Sequence, residues 1–356
     1  MTIQRLTTSE PDARRRGETI AGQGAMHIRT NLDDYVRLFH AADVGDAQLQ
    51  AFGTQATDAL ADWSAGLHAE MCGVAAGAGL DEWQVGLLNA RTEVLAAGGA
   101  VGEGECSTAV ALPPEGAPRT IQTWDWHDEL AADRLVVRYV ADSGRTVRYF
   151  TEFGMLGKIG LNDAGLGLHF NILNHESDSD PIGVPVHAVA RAVLDGAATI
   201  AEAVDIAASA QLSASTVLTV VTYDGVRADA ACIELSPAGQ AVVRPDDGFL
   251  AHTNHFLDED LARGDLAPSS ASTYRRLKQV RGRRGAVAEA DQVRRVEALR
   301  VHEADGAPVC CHPDPDVSFD QRWESLLTVV LDLERGVLGY HDGGPCGVRA
   351  DTWQTF

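Results

Sequence analysis

In the first quarter of the chain, apolar residues recur at intervals of three and four, which is the spacing of one buried helix face. The pattern predicts mostly helical structure from Asp12 to about Leu95, with clear stretches at residues 35–42, 48–75 and 81–97. Asp81 is a suitable N-cap for the last of these, because its carboxylate can accept hydrogen bonds from the first free N–H groups. Residues 97–105, AGGAVGEGE, hold four glycines and no periodicity, and they predict an exposed linker.

From residue 106 onward the pattern changes to short segments in which apolar and polar residues alternate, separated by proline, glycine and aspartate. Alternation with a period of two predicts antiparallel strands. Helical spacing returns at residues 185–209 and 257–299, strands return between 216 and 245, and a hairpin is predicted at 326–343. Blocks of helices and blocks of strands, without strict alternation, predict an α+β fold of two packed sheets covered by helices.

The composition narrows the class of protein. A hydrophobic fraction of 45% with 22% charged residues is typical of a folded globular chain. The formal charge of −22, from 51 acidic and 29 basic residues, would repel phosphate, so we expect no nucleic-acid and no membrane partner. No apolar run approaches a signal peptide or a membrane span, and six cysteines in 356 residues do not form a dense disulfide framework. We therefore expect a cytoplasmic protein with reduced thiols.

Cys106 opens the first predicted strand directly after the glycine-rich linker, whereas buried structural cysteines normally lie inside an element. If the bond between Glu105 and Cys106 were cut, the new chain would begin with a thiol and a free α-amino group on one residue. An α-amino group titrates near about 7.7–8.0, so it can take the thiol proton and later return it to a leaving group. The sequence thus makes Cys106 a candidate N-terminal nucleophile.

A set of ordered motifs surrounds Cys106. An Asn-Ala-Arg-Thr-Glu segment at 89–93 leads through the linker to Cys-Ser-Thr at 106–108, and a Trp-Asp pair follows at Trp124 and Asp125. This order resembles the acyl-coenzyme A:isopenicillin N (6-aminopenicillanic acid) acyltransferase family, which is also classed among the self-processing cysteine peptidases. Further similarity in RRRGETIAGQ, GLNDAGLGLHFNIL, HTNH and the closing GGPC extends the resemblance over most of the chain.

The resemblance implies a four-layer αββα sandwich of the N-terminal-nucleophile hydrolase type. It also implies self-cleavage into a helix-rich pro-segment or α chain, residues 1–105, and a β chain, residues 106–356, which stay associated as one domain. The implied activity is transfer of an acyl group from a small-molecule amide or thioester donor to an amine acceptor, through a thioester on Cys106. No cofactor is expected.

A basic cluster at residues 275–284, RRLKQVRGRR, is relevant to the chemical class of the acyl donor. Such a cluster can bind the phosphate groups of a coenzyme A or carrier-protein thioester. The alternative is a solvated helix face, which is the commoner use of such a run of charges.

The resemblance assigns roles to two further residues. Asp125 would lie beside the N-terminal amine and orient it, and Asn254, in HTNH, would donate a side-chain N–H to the oxyanion. Without the resemblance, an aspartate at a strand end satisfies turn amides, and an asparagine between two histidines is a turn residue.

Three residues are candidates for substrate binding or support. Ser272 and Arg275, in SSASTYRR, are similar to a serine and arginine segment that helps to shape the family's site, with an exposed helix arginine as the alternative. Asn171 is preferred as a substrate contact over Asn162 and Asn174, of which one would complete a turn.

One position departs from the family pattern. Glu105 precedes the nucleophile where the best-known members of the family have glycine. A side chain there must fit the strained turn that an N-to-S acyl shift needs, so we expect slower cleavage at this bond than a glycine would allow.

Three other functions remain open from the sequence. An amidohydrolase would use the same acyl-enzyme with water as the acceptor, and a non-catalytic relative would stay uncleaved and act as a binding protein. A zinc hydrolase could be built on His252 and His255 with Cys310, Cys311 and His312. Vicinal cysteines fit no standard zinc spacing, so no metal is expected.

Overall fold

A computed structural model describes residues 3–99, 106–130 and 134–356 of the chain. Five helices precede Cys106, namely α1 (Ala13–Ala41), α2 (Asp46–Trp63), α3 (Ala65–Ala78), α4 (Glu82–Asn89) and α5 (Arg91–Ala97). The single helix expected at 48–75 is therefore two helices. Ser64 separates them, because its backbone is extended and its hydroxyl accepts the Leu67 N–H at the start of α3.

Helices α1 and α3 lie in direct backbone contact, which two glycines allow. A Cβ atom on Gly73 would lie 1.9 Å from the carbonyl oxygen of Arg14, and one on Gly17 would lie 2.0 Å from that of Glu70. No side chain fits at either position. A buried ion pair of 2.6 Å between Arg16 and Glu70 joins the same two helices.

The larger sheet has eight strands. In spatial order they are β1 (Gln4–Thr7), β4 (Arg134–Val140), β5 (Thr146–Glu152), β6 (Ile159–Asn162), β7 (Leu166–Ile172), β8 (Thr216–Tyr223), β9 (Ala228–Ser236) and β10 (Gly239–Val243). Neighbouring strands are antiparallel except β1, which the sequence pattern did not predict and which pairs parallel to β4. Strand β4 lies more than a hundred residues further along the chain, so no local sequence pattern predicts this pairing.

The smaller sheet has six strands. In spatial order they are β11 (Phe249–His252), β2 (Ser107–Ala111), β3 (Arg119–His127), β12 (Trp323–Asp332), β13 (Val337–Asp342) and β14 (Gln354–Thr355). Strand β2 is buried along its whole length and pairs with β3 on one side and β11 on the other. The segment that begins at Cys106 is thus an interior strand.

Helices cover the outer face of each sheet. On the larger sheet lie α6 (Val186–Gly196) and α7 (Ile200–Ala208), and on the smaller sheet lie α8 (Ser272–Gly282), α9 (Arg284–Val287) and α10 (Gln292–Arg295). The two sheets meet where β2 contacts β7 and where β13 contacts β5 and β6. The order helix, sheet, sheet, helix confirms the predicted αββα layers. Helical structure at 257–299 begins later than expected, since residues 257–271 contain only a short 3₁₀ turn at Leu261–Gly264.

No helix within the described residues combines the length and the hydropathy needed to cross a bilayer.

Candidate active site

Cys106 directly precedes β2, between the two sheets, with 4% of its surface exposed. Its thiol points to the backbone carbonyl oxygen of Asp125 on the neighbouring strand β3, with an Sγ–O distance of 3.8 Å. Glu105, the other residue of the expected cleavage site, lies outside the described residues. The interior position of β2 fixes the direction of the thiol.

Burial raises the pKa of the Cys106 thiol to about 12, and the negative charge of Asp125 adds to the rise. The positive charges of Arg276 and Lys158 act in the opposite direction and favour the thiolate. The thiol is therefore protonated at neutral pH in this environment. It needs a proton acceptor before it can act as a nucleophile.

The backbone carbonyl group of Cys106 is held by two side chains. Asn171, on β7 of the larger sheet, donates from Nδ2 over 3.1 Å, and Arg276, on α8, donates from Nη1 over 2.8 Å. Thr108 donates to the amide oxygen of Asn171 over 2.7 Å and so orients it. The facing sheet and the outer helix layer thus meet at the peptide group of Cys106.

Arg276 also connects this peptide to Asn254 and Ser272. Its Nη2 donates to Oδ1 of Asn254 over 3.0 Å, and its Nε donates to the hydroxyl of Ser272 over 3.1 Å. The side chain of Arg276 is completely buried. A planar guanidinium group suits this task because its donors diverge in fixed directions.

Asn254 follows β11 and is held at both ends. Its backbone N–H donates to the hydroxyl of Thr273 over 2.8 Å, and its Nδ2 donates to the carbonyl oxygen of Ile172 over 2.8 Å. A side-chain amide has two N–H groups, so Nδ2 of Asn254 has a second N–H that can donate to a further acceptor.

Asp125 lies on β3, with 1% of its surface exposed, opposite Ser325 of β12. The hydroxyl of Thr123 lies 3.5 Å from its Oδ2 atom. Of the residues proposed from the sequence, Cys106, Asp125, Asn254, Asn171 and Ser272 come together around one point.

Arg275 lies elsewhere. It is on the solvent side of α8, where its Nη1 donates to Glu303 over 2.7 Å and to the carbonyl oxygen of Gly306 over 3.1 Å. The arginine at the site is the next residue, Arg276. The helix period decides between the two, because Arg276 falls on the face that buries Leu277 and Val280, and this spacing was readable in the sequence.

Asn162 has a structural role. Its Oδ1 accepts the N–H groups of Ala164 and Leu166, over 3.0 and 3.2 Å, and so closes the turn between β6 and β7. Its Nδ2 donates to the carbonyl oxygens of Leu194 and Ala197, which secures the end of α6.

A buried ionisable side chain that the sequence pattern did not indicate lies near Cys106. Lys158 pairs with the carboxylate of Glu152, and its Nζ lies 4.2 Å from the ring centroid of Trp124. Arg91 contacts the same carboxylate at 3.3 Å. Burial, together with the charge of Arg91, lowers the pKa of Lys158 to about 7. No periodicity around this lysine points to the site, since it lies between two strands.

The Asn-Ala-Arg-Thr-Glu segment ties α4 and α5 to the residues before Lys158. Asn89 donates to the carbonyl oxygen of Gly154 over 3.0 Å and accepts the N–H of Leu156 over 2.8 Å. The guanidinium carbon of Arg91 lies 3.8 Å from the ring centroid of Trp126. Glu93 accepts the N–H of Val186 over 2.7 Å at the start of α6.

His252 and His255 have partners within the protein. Nε2 of His252 lies 2.7 Å from Glu234, and Nδ1 of His255 lies 2.8 Å from the hydroxyl of Thr273. In the part of the chain that the structure describes, neither belongs to a cluster of three ligating side chains. The zinc hydrolase built on these histidines therefore has no geometric basis.

Residues 113–336, more than half of the chain, match the family described as "Acyl-coenzyme A:6-aminopenicillanic acid acyl-transferase". The chain belongs to this acyl-transferase family. The match confirms the resemblance that the motifs around Cys106 indicated. A relative within the acyl-transferase family is the 40 kDa form of acyl-coenzyme A:6-aminopenicillanic-acid-acyltransferase from Emericella nidulans, 29% identical over 191 residues. This alignment covers 53% of the chain and 52% of the relative, so it spans about half the length of each.

Two solved structures are similar to this chain over part of its length. Penicillin V acylase from Agrobacterium tumefaciens matches with a TM-score of 0.46 at 17% identity, over 67% of this chain and 83% of that one. Conjugated bile acid hydrolase from Clostridium perfringens matches with a TM-score of 0.48 at 13% identity, over 70% of this chain and 92% of that one.

Proposed function

We propose that this chain is an enzyme that cuts itself between Glu105 and Cys106 and then transfers acyl groups through the freed Cys106 thiol. The observation that carries the proposal is that one side chain binds both Cys106 and Asn254. Arg276 holds the carbonyl group of Cys106 and the side chain of Asn254 at the same time. A nucleophile and an oxyanion donor must be held in this way, with a fixed distance between them.

Self-cleavage would proceed by an N-to-S acyl shift. The Cys106 sulfur attacks the carbonyl carbon of Glu105, and the peptide C–N bond breaks as the nitrogen takes up a proton. Water then hydrolyses the thioester, which leaves a carboxyl group on Glu105 and a free thiol and amine on Cys106. The positive charges of Lys158 and Arg276 favour the thiolate in the first step.

Acyl transfer would then use the new α-amino group as the base. The amine takes the thiol proton, the sulfur attacks the donor carbonyl, and the free N–H of Asn254 stabilises the oxyanion. The leaving group departs with the proton, and an acyl thioester remains on Cys106. An acceptor amine, or water, attacks the thioester and restores the thiol. The role of Asp125 is to orient the α-amino group.

The contacts of the first 105 residues support an α chain that stays bound after cleavage. Tyr35 donates a hydrogen bond to Glu152, and the amide of Asn89 bonds both Gly154 and Leu156. The ring of Trp126 packs on Arg91. All of these contacts are buried and cross from the helical part to the part that follows Cys106.

The family name suggests which substrates to test first. 6-Aminopenicillanic acid is the first acceptor, and an acyl-coenzyme A is the first donor. The basic cluster at 275–284 adds little support for a phosphate-bearing donor, because three of its arginines have partners in the protein. Arg275 pairs with Glu303, Arg284 pairs with Asp247, and Arg276 is buried at the site.

Intact-mass spectrometry of the freshly purified full chain tests self-cleavage. We expect two fragments, the larger one starting at Cys106, and one uncut chain for Cys106→Ala. Cys232→Ala is the matched control, since Cys232 is also buried but lies on β9. An uncut wild-type chain after prolonged incubation would overturn the proposal and favour an uncleaved binding protein.

A competition between acceptor amine and water tests the chemistry. With donor supplied, acylated amine should accumulate in proportion to acceptor concentration until the site is saturated. Release of free acid alone, at saturating amine, would mean that the cleaved enzyme is an amidohydrolase.

A further inference from the structure

Four side chains with the ligand chemistry of zinc meet on the side of the molecule formed by the C-terminal strands. They are His302, Cys310, His312 and Cys346, and one ligating atom of each lies within 4.8 Å of the corresponding atoms of the others. Nε2 of His312 lies 3.7 Å from the sulfur of Cys310 and 3.5 Å from that of Cys346. The rings of His302 and His312 stack with centroids 5.1 Å apart.

These distances fit a tetrahedral metal centre. Zinc binds thiolate sulfur at about 2.3 Å and imidazole nitrogen at about 2.0–2.1 Å, which places the two kinds of ligand roughly 3.5 Å apart in a tetrahedron. The sulfur-to-nitrogen distances around His312 have this size before any ion draws the ligands together. Two thiols and two imidazoles are also a ligand set that structural zinc sites use.

We propose that His302, Cys310, His312 and Cys346 bind one zinc ion that stabilises this side of the fold. Four protein ligands complete the tetrahedron and leave no position for a substrate, so the site is structural. Asp305 supports it, because its carboxylate lies 3.5 Å from Nδ1 of His302 and can orient the ring.

The ligands come from three segments of the chain, at His302, at Cys310 and His312, and at Cys346. Cys310 donates its N–H to the carbonyl oxygen of Val301 over 2.8 Å, beside His302. Cys346 lies in the turn Pro345–Gly347 that follows β13. Arg300 reaches the same turn by donating to the carbonyl oxygen of Pro345 over 3.0 Å. An ion at the cluster would lock these segments together.

The cluster is close to the candidate active site. Cys311 exchanges two hydrogen bonds with Ser325, since its N–H donates to the hydroxyl over 2.9 Å and its carbonyl oxygen accepts the Ser325 N–H over 3.0 Å. Ser325 of β12 lies opposite Asp125 of β3. A metal that fixes residues 310–312 therefore supports the strand beside Asp125 without touching the nucleophile.

Two members of this set, Cys310 and His312, were candidate ligands from the sequence, but the four together span 45 positions and fit no standard zinc spacing. The zinc ligands considered from the sequence included Cys311 and left out Cys346. The fold turns Cys311 away, and its sulfur instead lies 3.4 Å from the carbonyl oxygen of Trp323.

Metal analysis of the full chain, purified without chelator, tests the proposal. We expect about one zinc ion per chain. Cobalt added to chelator-treated protein should give the visible absorption bands of a tetrahedral thiolate site. Cys346→Ser should weaken zinc binding by at least about 10²-fold, since even supporting residues of metal sites contribute about 10–100-fold. His302→Asn, at the exposed edge of the cluster, is the second variant if Cys346→Ser does not fold.

Two controls locate the metal. Cys311→Ser changes the neighbouring thiol and should retain zinc. Cys72→Ser should also retain it, although Cys72 lies in a smaller cluster with His68 and Glu82. Metal lost in Cys72→Ser but kept in Cys346→Ser would overturn the assignment. A wild-type chain that binds no zinc would do the same, as would a native disulfide between Cys310 and Cys346, seen as a mass lower by two hydrogens.

Discussion

Arg276 donates a hydrogen bond of 2.8 Å to the carbonyl oxygen of Cys106, a residue 170 positions earlier in the chain. The same guanidinium group donates to Asn254 over 3.0 Å. A helix in the outer layer therefore sets the distance between the candidate nucleophile and the candidate oxyanion donor. The adjacent Arg275 has a different environment, since it points to solvent.

The first prediction compares the same change at these two adjacent positions. Arg276→Lys keeps the charge but cannot bridge the carbonyl group of Cys106, Asn254 and Ser272, so kcat should fall by on the order of 10²-fold. Arg275→Lys should stay within about twofold of the wild type, because exposed ion pairs contribute little. Steady-state kinetics on the processed enzymes measures both. Equal losses in the two variants would contradict the assignment of Arg276.

The second prediction concerns the oxyanion donor. Asn254→Asp keeps the size of the side chain and an acceptor for Arg276, but it removes the N–H group. We expect kcat to fall by about 10²–10³-fold with little change in KM, because the contact with the oxyanion forms only in the transition state. The hydrogen bond from Nδ2 to Ile172 is lost as well, and its loss should lower stability. Thermal unfolding of the variant serves as the control for folding. A loss confined to KM would show that Asn254 binds substrate instead.

The third prediction is a pH dependence of stability. Burial raises the pKa of Glu93 to about 8, whereas the same group in the unfolded chain titrates near about 4.3. Between these values the folded chain holds a proton that the unfolded chain has lost, so this contribution to stability is lost as the pH rises through about 8. Glu93→Gln cannot titrate.

Urea unfolding at pH 5 and pH 8 tests this linkage. Relative to Glu93→Gln, the wild type should lose roughly 2–4 kcal/mol of unfolding free energy between the two pH values. The comparison with the variant removes the contributions of all other titrating groups. Parallel pH curves for the two proteins would show that Glu93 is ionised in the folded chain.

The fourth prediction concerns the residue before the nucleophile. Glu105→Gly should speed self-cleavage, because glycine enters the strained backbone geometry of an N-to-S acyl shift without a steric penalty. A time course of intact mass after denaturant-free purification or after refolding measures the rate. Glu105→Ala is the matched control, since it removes the carboxylate but keeps a Cβ atom. If alanine accelerates cleavage as much as glycine, the charge of Glu105 is the cause.

Several elements of the fold could be predicted from local pattern. Alternation predicted strands in the segments that became β2, β3, β8 and β9, and helical spacing predicted the helical region before Cys106, although the stretches at 48–75 and 81–97 are each two helices. The break at Ser64 was missed, although serine is a common N-cap residue, because alanine-rich sequence on both sides continues the helical pattern. Strand β1 could not be predicted, since its pairing with β4 depends on a distant partner.

The sequence by itself determined the family, the αββα layers and the placement of Cys106 at the start of a strand after a glycine-rich linker. Only the tertiary structure decided that Arg276 faces Cys106, that Lys158 is buried nearby, and that His302 and Cys346 meet. The physical reason is the distance along the chain over which each kind of interaction acts. Periodicity and capping act between residues a few positions apart, whereas these contacts form only when separate layers pack and bury charged or ligating groups from distant segments.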